Sequence, residues 1–259
     1  MLSIVDVRKT FNRGQSAEKI ALNGLTFNLQ PGDFVVVIGS NGAGKSTMLN
    51  AVSGALTIDS GSILINGQNV TAMPVHKRAR YVARVFQDPM RGTAASMTIA
   101  ENMLLAELRD QTRKIKIALT QQRLQNYRER LSVLGLGLEN RLGSRMDLLS
   151  GGQRQSVSLV MAAGGKPDIL LLDEHTAALD PITANRVMSA TVKAIAAFRI
   201  TTLMVTHNLQ YAIDYGNRII MLDGGKVQLE IEKRPEQKLT VSDLIQKFSR
   251  QDDRLLLRN

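Results

Sequence analysis

The sequence predicts an α/β fold: a parallel-sheet core carrying a phosphate-binding loop, an antiparallel β layer near the N-terminus, and an inserted α-helical segment. Three observations predict it. The apolar run Phe34-Val35-Val36-Val37-Ile38 reads as a buried strand, and Met48-Leu49-Asn50-Ala51-Val52 reads as a helix start, with Gly39-Ser40-Asn41-Gly42-Ala43-Gly44-Lys45-Ser46-Thr47 between them. After Ser150, helical stretches alternate with apolar strands at Ile169–Leu172, Thr201–Thr206 and Arg218–Leu222, the pattern of βα units on one sheet. Near the N-terminus, Leu25, Phe27 and Leu29 alternate with Thr26, Asn28 and Gln30 before Pro31-Gly32, and Ile63-Leu64-Ile65 ends in the hairpin signal Asn66-Gly67.

From Thr98 the pattern turns helical. Thr98 and Glu101 make a capping box, Ile99, Met103 and Ala106 share one face, and helical character is expected to run to about Leu134 before a Gly135–Gly143 loop. Near the C-terminus, Thr240–Phe248 reads as a short helix with Thr240 as N-cap and Asp243 three residues on. No internal repeat or low-complexity linker interrupts the chain.

The segment Gly39 to Thr47 matches the pattern of glycine, four residues, then Gly-Lys-Ser/Thr, in the strand–loop–helix context the motif requires. Its glycines let backbone N–H groups turn toward phosphate oxygens, and the helix N-terminus adds its positive end. Lys45 is placed to reach the outer phosphates and the Ser46 hydroxyl to hold Mg²⁺. The chemistry expected is binding of a nucleoside triphosphate. A second constellation lies downstream: Ile169-Leu170-Leu171-Leu172-Asp173-Glu174 is an apolar strand ending in two carboxylates. Asp173 is placed to bind the Mg²⁺ directly or through water, and Glu174 to orient or deprotonate an attacking water.

Composition restricts the alternatives. A chain of 259 residues with 44% hydrophobic content can bury one sizeable core. Without cysteine it has neither disulfides nor cysteine-ligated metals, which suits a reducing compartment. Asp6 comes too early for a signal peptide, and no apolar run approaches the roughly 18 residues of a membrane span. Half of the net charge of +10 falls between Arg109 and Arg130, where Leu124, Tyr127, Leu131 and Leu134 recur at helical spacing. This basic amphipathic stretch reads first as a solvated surface, with anionic lipid or nucleic acid as the functional alternatives.

A third constellation, Leu149-Ser150-Gly151-Gly152-Gln153, lies between the phosphate loop and the acidic strand. Ser150 caps a helix whose free N–H groups point at an anion. With these residues the chain resembles, over essentially its whole length, the nucleotide-binding subunits of ATP-binding cassette (ABC) transporters. The resemblance implies a P-loop NTPase of ABC type with a RecA-like core at about 1–88 and 155–230. It also implies a helical subdomain at about 89–154 and a short C-terminal extension at about 231–259. It further implies that Ser150, Gly151, Gly152 and Gln153 face the γ-phosphate of ATP held by the other subunit of a head-to-tail homodimer. Gln87, in Val85-Phe86-Gln87-Asp88, looks like the loop glutamine that joins the metal site to the helical subdomain. Asp180 resembles the acidic loop residue at the dimer interface, and His207 the switch histidine that contacts the γ-phosphate. Phe11 stands where the family stacks an aromatic on adenine, although an aromatic at a strand end is also often core.

The cofactors implied are ATP and Mg²⁺; the partners are a second copy, transmembrane permease subunits and a separate solute-binding protein, with no nucleic acid. The location implied is the cytoplasmic face of the cell membrane, reached through the permease. One departure from the family is His175 in place of the usual proline after Glu174, for which packing or hydrogen bonding is expected rather than catalysis. The segments around His175, Gln87–Thr93 and Ser96–Asn102 resemble a bacterial subgroup labelled as tryptophan/tyrosine-type uptake ATPases. The alternatives are an exporter or lipoprotein-release ATPase, and a DNA-maintenance ATPase, which normally carries long coiled-coil insertions or zinc-binding cysteines.

Overall fold

A computed structural model describes residues 1–108, 119–233 and 239–247. Two sheets form the frame. The first is antiparallel: β1 (Leu2–Phe11) pairs with β2 (Lys19–Leu29) on one side and β4 (Ser60–Ile65) on the other, and β4 closes a hairpin with β5 (Gln68–Asn69). The hairpin forms where Asn66-Gly67 predicts it, both residues adopting positive φ, at 50° and 78°.

The second sheet has the order β10 (Lys226–Glu232), β9 (Arg218–Asp223), β3 (Phe34–Gly39), β8 (Thr201–Val205), β7 (Ile169–Asp173), β6 (Val82–Val85). β9, β3, β8, β7 and β6 are parallel, as the alternation of helix and strand predicts, and only β10 runs antiparallel. The central strands read as unbroken apolar runs because both faces are covered. Val35 and Val37 point into one core with Leu2, Ile4, Leu25 and the helix α1 (Lys45–Ser53). Val36 and Ile38 point into the other, formed with α5 (Gly151–Gly164) and α6 (Pro181–Phe198).

The helical part departs from expectation in one respect. In place of continuous helix from Thr98 to about Leu134, α3 (Ile99–Glu107) ends at Leu108 and α4 (Gln121–Ser132) starts afresh. Thr120 accepts a hydrogen bond from Arg123 N–H, a new N-cap that ends any continuity of hydrogen bonding into α4. The capping box at Thr98 and Glu101 is present. Residues 109–118 of the basic stretch lie outside the described residues. On α4, Tyr127 and Leu131 are buried as predicted, and Tyr127 Oη donates to Glu107 Oε2 at 2.6 Å.

The remaining helices are short: α2 (Val75–Arg78) and α7 (Leu209–Tyr215). Residues 241–247 are helical behind the expected Thr240–Asp243 cap, and Leu244 is fully buried in the core; Phe248 lies outside the described residues. Among the described residues no helix is long and apolar enough to cross a membrane.

Candidate functional site

The phosphate loop hangs from the C-terminal end of β3 and feeds α1, whose N-terminal cap is Gly44 at φ 101°. A side chain at Gly44 is excluded twice over: by that left-handed backbone, and by the Ala21 carbonyl oxygen 2.5 Å from where a Cβ would stand. Lys45, 6% exposed, donates from Nζ to the carbonyls of Gly39 (2.8 Å) and Ser40 (2.9 Å). Burial pulls its ammonium below the ordinary lysine range, while the Glu174 carboxylate pulls the other way. Ser46 and Asn41 are exposed at the loop surface, and Ala43 is buried beneath it.

Two adjoining hollows meet at Ser46 and Glu174. One is lined by Phe11, Lys19, Asn41, Gly42, Gly44, Lys45, Thr47 and His207 besides the shared pair. The other contains Asn50, Arg84, Phe86, Gln87 and Asp173. Residues 163 positions apart, Phe11 and Glu174, thus come to one cleft because β2 pairs with β1 beside the loop. Phe11 is 37% exposed at the rim with the Lys9 ammonium 5.7 Å from its ring centroid, so it is not a core aromatic.

Glu174 follows β7 at φ 46°, a left-handed conformation that costs a non-glycine residue energy and concentrates at functional sites. Its N–H donates to the Val205 carbonyl, tying it to the end of β8. Its Oε1 lies 2.8 Å from His207 Nε2, with His207 about half exposed and Glu174 mostly covered. A negative, held carboxylate beside an imidazole can align or accept a proton from a small nucleophile in the cleft.

His175 turns the other way. It is 2% exposed, and Nε2 lies 3.1 Å from Thr191 Oγ1. The Thr191 hydroxyl already donates to the Val187 carbonyl at 2.8 Å, so the imidazole Nε2–H must donate to Oγ1 and the proton of the neutral ring sits on Nε2. Burial pushes its pKa down to about 4. The packing and hydrogen-bonding role expected for it is what the geometry supports.

The signature segment forms a complete capping box on α5. Ser150 Oγ accepts from Gln153 N–H at 3.3 Å, and Gln153 Oε1 accepts from Ser150 N–H at 3.1 Å. Gly152 brings α5 onto α6, since a Cβ there would stand 2.3 Å from Thr183 Cγ2. Asp180 caps α6, accepting from Thr183 N–H at 3.0 Å, and these bonds hold its carboxyl below the usual range. Ser150, Gly151 and Asp180 are exposed, and none of Ser150, Gly151, Gly152, Gln153 and Asp180 lines either hollow. The chain therefore carries an assembled cleft and, apart from it, an exposed helix N-terminus of suitable polarity.

Two residues escape the sequence reading. Gln155 on α5 is 1% exposed and donates to the Phe86 carbonyl at 2.9 Å, holding the strand end that leads into Gln87. Arg84 on β6 pairs with Asp173 at 2.5 Å. The available signal is a lone cation inside Val82-Ala83-Arg84-Val85, which as a buried strand demands a counter-ion.

Comparison with known proteins agrees with this geometry. The family model described as ABC transporter matches residues 22–177. A "Tyrosine transport ATP-binding protein" of Clostridioides difficile (strain R20291) is 42% identical over 248 residues, covering 96% of this chain and 98% of that one. A "Phosphonates import ATP-binding protein" of Lactococcus lactis subsp. lactis (strain IL1403) is 31% identical over 247 residues, covering 93% of this chain and 95% of that one. Among solved structures, a dimeric ATP-binding cassette in a post-hydrolysis state bound to ADP and Pi superposes with TM-score 0.76 at 28% identity. That match covers 90% of this chain and 99% of the other. The chain belongs to the ABC transporter family, and it is an ATP-binding, ATP-hydrolysing cassette of that family.

Proposed function

We propose that two copies of this chain form a head-to-tail, ATP-dependent homodimer that drives a separate membrane permease in the uptake of a small solute, an amino acid by class. One observation carries the reading. Phe11, the phosphate loop with Lys45, Glu174 and His207 line one cleft, while the capped helix N-terminus at Ser150 is exposed and outside it. A second copy supplies that helix end to the γ-phosphate, where its N–H groups and positive dipole end neutralise developing charge. Asp180, exposed beside it, sits on the same meeting surface.

Within each site Phe11 stacks on adenine, the loop N–H groups cradle the phosphates, and Lys45 exchanges its two carbonyl partners for phosphate oxygens. His207 holds the Glu174 carboxylate, and Glu174 aligns the attacking water and takes its proton. The residues fit Mg²⁺ in the way the family uses it. Ser46, Gln87 and Asp173 line one hollow, and no cluster of three or more His, Cys, Asp or Glu side chains among the described residues forms a metal cage of its own. Ser46, Gln87 and Asp173 would hold a small divalent cation beside the nucleotide, and when bound it would neutralise phosphate charge.

The relative named for phosphonates import supports uptake as the direction, and it and the relative named for tyrosine transport support a small solute as the cargo. The subunit is expected at the cytoplasmic face of the membrane, held there through the permease and served by a solute-binding protein. Co-expression with a candidate permease and solute-binding protein from the same genome tests the whole reading. The expected result is co-purification with the permease and a thermal shift of the binding protein with an amino acid. A permease complex that exports, or that has no binding protein, would contradict it.

A further inference from the structure

Arg84 belongs to none of the roles above, yet it touches the carboxylate on which the metal reading depends. Its Nη2 donates to Asp173 Oδ2 at 2.5 Å and its Nη1 to Asn50 Oδ1 at 2.7 Å, so it ties β7 to the phosphate-loop helix α1. The guanidinium also lies over the Phe86 ring, 4.9 Å from the centroid, and Arg91 approaches the same ring at 5.5 Å. Its side chain is 11% exposed and that of Asp173 16%. Among the described residues Arg84 Nε is buried without a hydrogen-bond partner, and Asp173 is the carboxylate to which this guanidinium donates.

We infer that Arg84 is a positioning residue that sets the divalent-cation requirement of the ATP site by holding Asp173 as a resident counter-ion. The inference rests on the reading that Ser46 and Asp173 serve Mg²⁺. A fixed guanidinium on one carboxylate oxygen cancels part of the charge that attracts a dication, and repels that dication across a partly covered site where charges are felt more strongly than in water. Because coupling between two ligands of one group is reciprocal, Arg84 weakens cation binding by the factor with which the cation loosens the Arg84–Asp173 pair. Arg84 loses little by sharing Asp173, since Asn50 and Phe86 still hold it.

The test uses Mn²⁺ as the cation, observed by electron paramagnetic resonance in the full chain. A non-hydrolysable ATP analogue is kept below the protein concentration so that all of it is bound. In Arg84→Met the apparent Mn²⁺ affinity should tighten on the order of tenfold, while analogue affinity in excess chelator stays unchanged. Arg84→Lys, which keeps the charge, should stay near the parent. In an Asp173→Asn background the gain should vanish, which a merely structural role for Arg84 would not produce. If Arg84→Met fails to fold, Arg84→Gln keeps a donor for Asn50 and carries the same expectation. Unchanged or weaker Mn²⁺ binding in a folded Arg84 variant overturns the inference, as does a gain that persists in Asp173→Asn. Absence of protein-bound Mn²⁺ in the parent overturns the metal reading itself, and the inference with it.

Discussion

His207 Nε2 and Glu174 Oε1 stand 2.8 Å apart, one from the loop after β8 and the other from the turn after β7. Adjacent parallel strands end at the same level, so two residues 33 positions apart in sequence become a pair. The pair separates two functions that substitutions should resolve. Glu174→Gln keeps shape and a hydrogen-bonding oxygen but removes the charge proposed to align the water, so turnover should fall about 10²–10⁴-fold with ATP affinity retained. His207→Ala should reduce turnover less, because Glu174 keeps its backbone tie to Val205. Lys45→Ala should lose ATP binding as well. Steady-state hydrolysis beside equilibrium nucleotide binding separates the three; near-normal turnover by Glu174→Gln would remove it from its role.

Ser150→Arg should abolish turnover yet leave ATP binding intact. Ser150 is exposed and lines no part of its own chain's cleft, so an arginine there leaves Lys45 and its loop untouched. The same bulk blocks approach of a second copy. A purified Ser150→Arg monomer that hydrolyses ATP at the parent rate would contradict the shared site.

His175 predicts a pH dependence of stability. Its pKa is near 4 in the folded chain against an ordinary 6.5, so between those values the unfolded chain binds a proton that the folded chain refuses. Stability is full above about 6.5 and is lost as pH falls toward 4. His175→Gln keeps a donor for Thr191 and removes this linkage. Between pH 7 and pH 4.5 the parent should lose about 2–3 kcal/mol more than the variant in urea unfolding. Parallel losses would show that His175 is protonated or exposed in the fold.

Arg78 should prove the most costly cation to remove. It is 2% exposed and donates to five carbonyls, including Ala51 at 2.7 Å and Val52 at 3.3 Å at the C-terminal end of α1 and Thr71 at 2.9 Å in the loop after β5. Arg78→Met takes this donor from all five while Ala51 and Val70 keep a backbone N–H, from Gly54 and Met73, and the loss should cost about 3 kcal/mol or more. At 2–4 °C per kcal/mol for a chain of this size, the thermal midpoint should fall by roughly 10 °C. A shift within one or two degrees would mean the carbonyls find other donors.

Much of this was legible in the sequence, for identifiable reasons. The loop from Gly39 to Thr47 is read from local chemistry, and its strand and helix follow from unbroken apolar runs beside it. The hairpin at Asn66-Gly67 and the caps at Thr98, Ser150 and Thr240 are equally local. Most of what was not legible is non-local. β10 carries a mixed pattern in which only Ile231 is buried, because it is an edge strand, so no clear period marks it. The break between α3 and α4 turns on Thr120, one residue whose capping competes with helix continuation. The Arg84–Asp173 pair needs the β6–β7 register, which no single strand's composition contains. The Glu174–His207 contact needs the β7–β8 register; likeness to a family supplied a role for His207 but not this partner.

ATP is expected to bring two copies together across the Ser150 helix end. Glu174→Gln, which binds ATP without clearing it, should trap that state, and light scattering after size exclusion reads its mass. The expected result is a species of 28.4 kDa without nucleotide and a doubled mass with ATP and Mg²⁺, lost again when Ser150→Arg is added. A mass that stays single with ATP, or that doubles equally with and without it, would contradict the account.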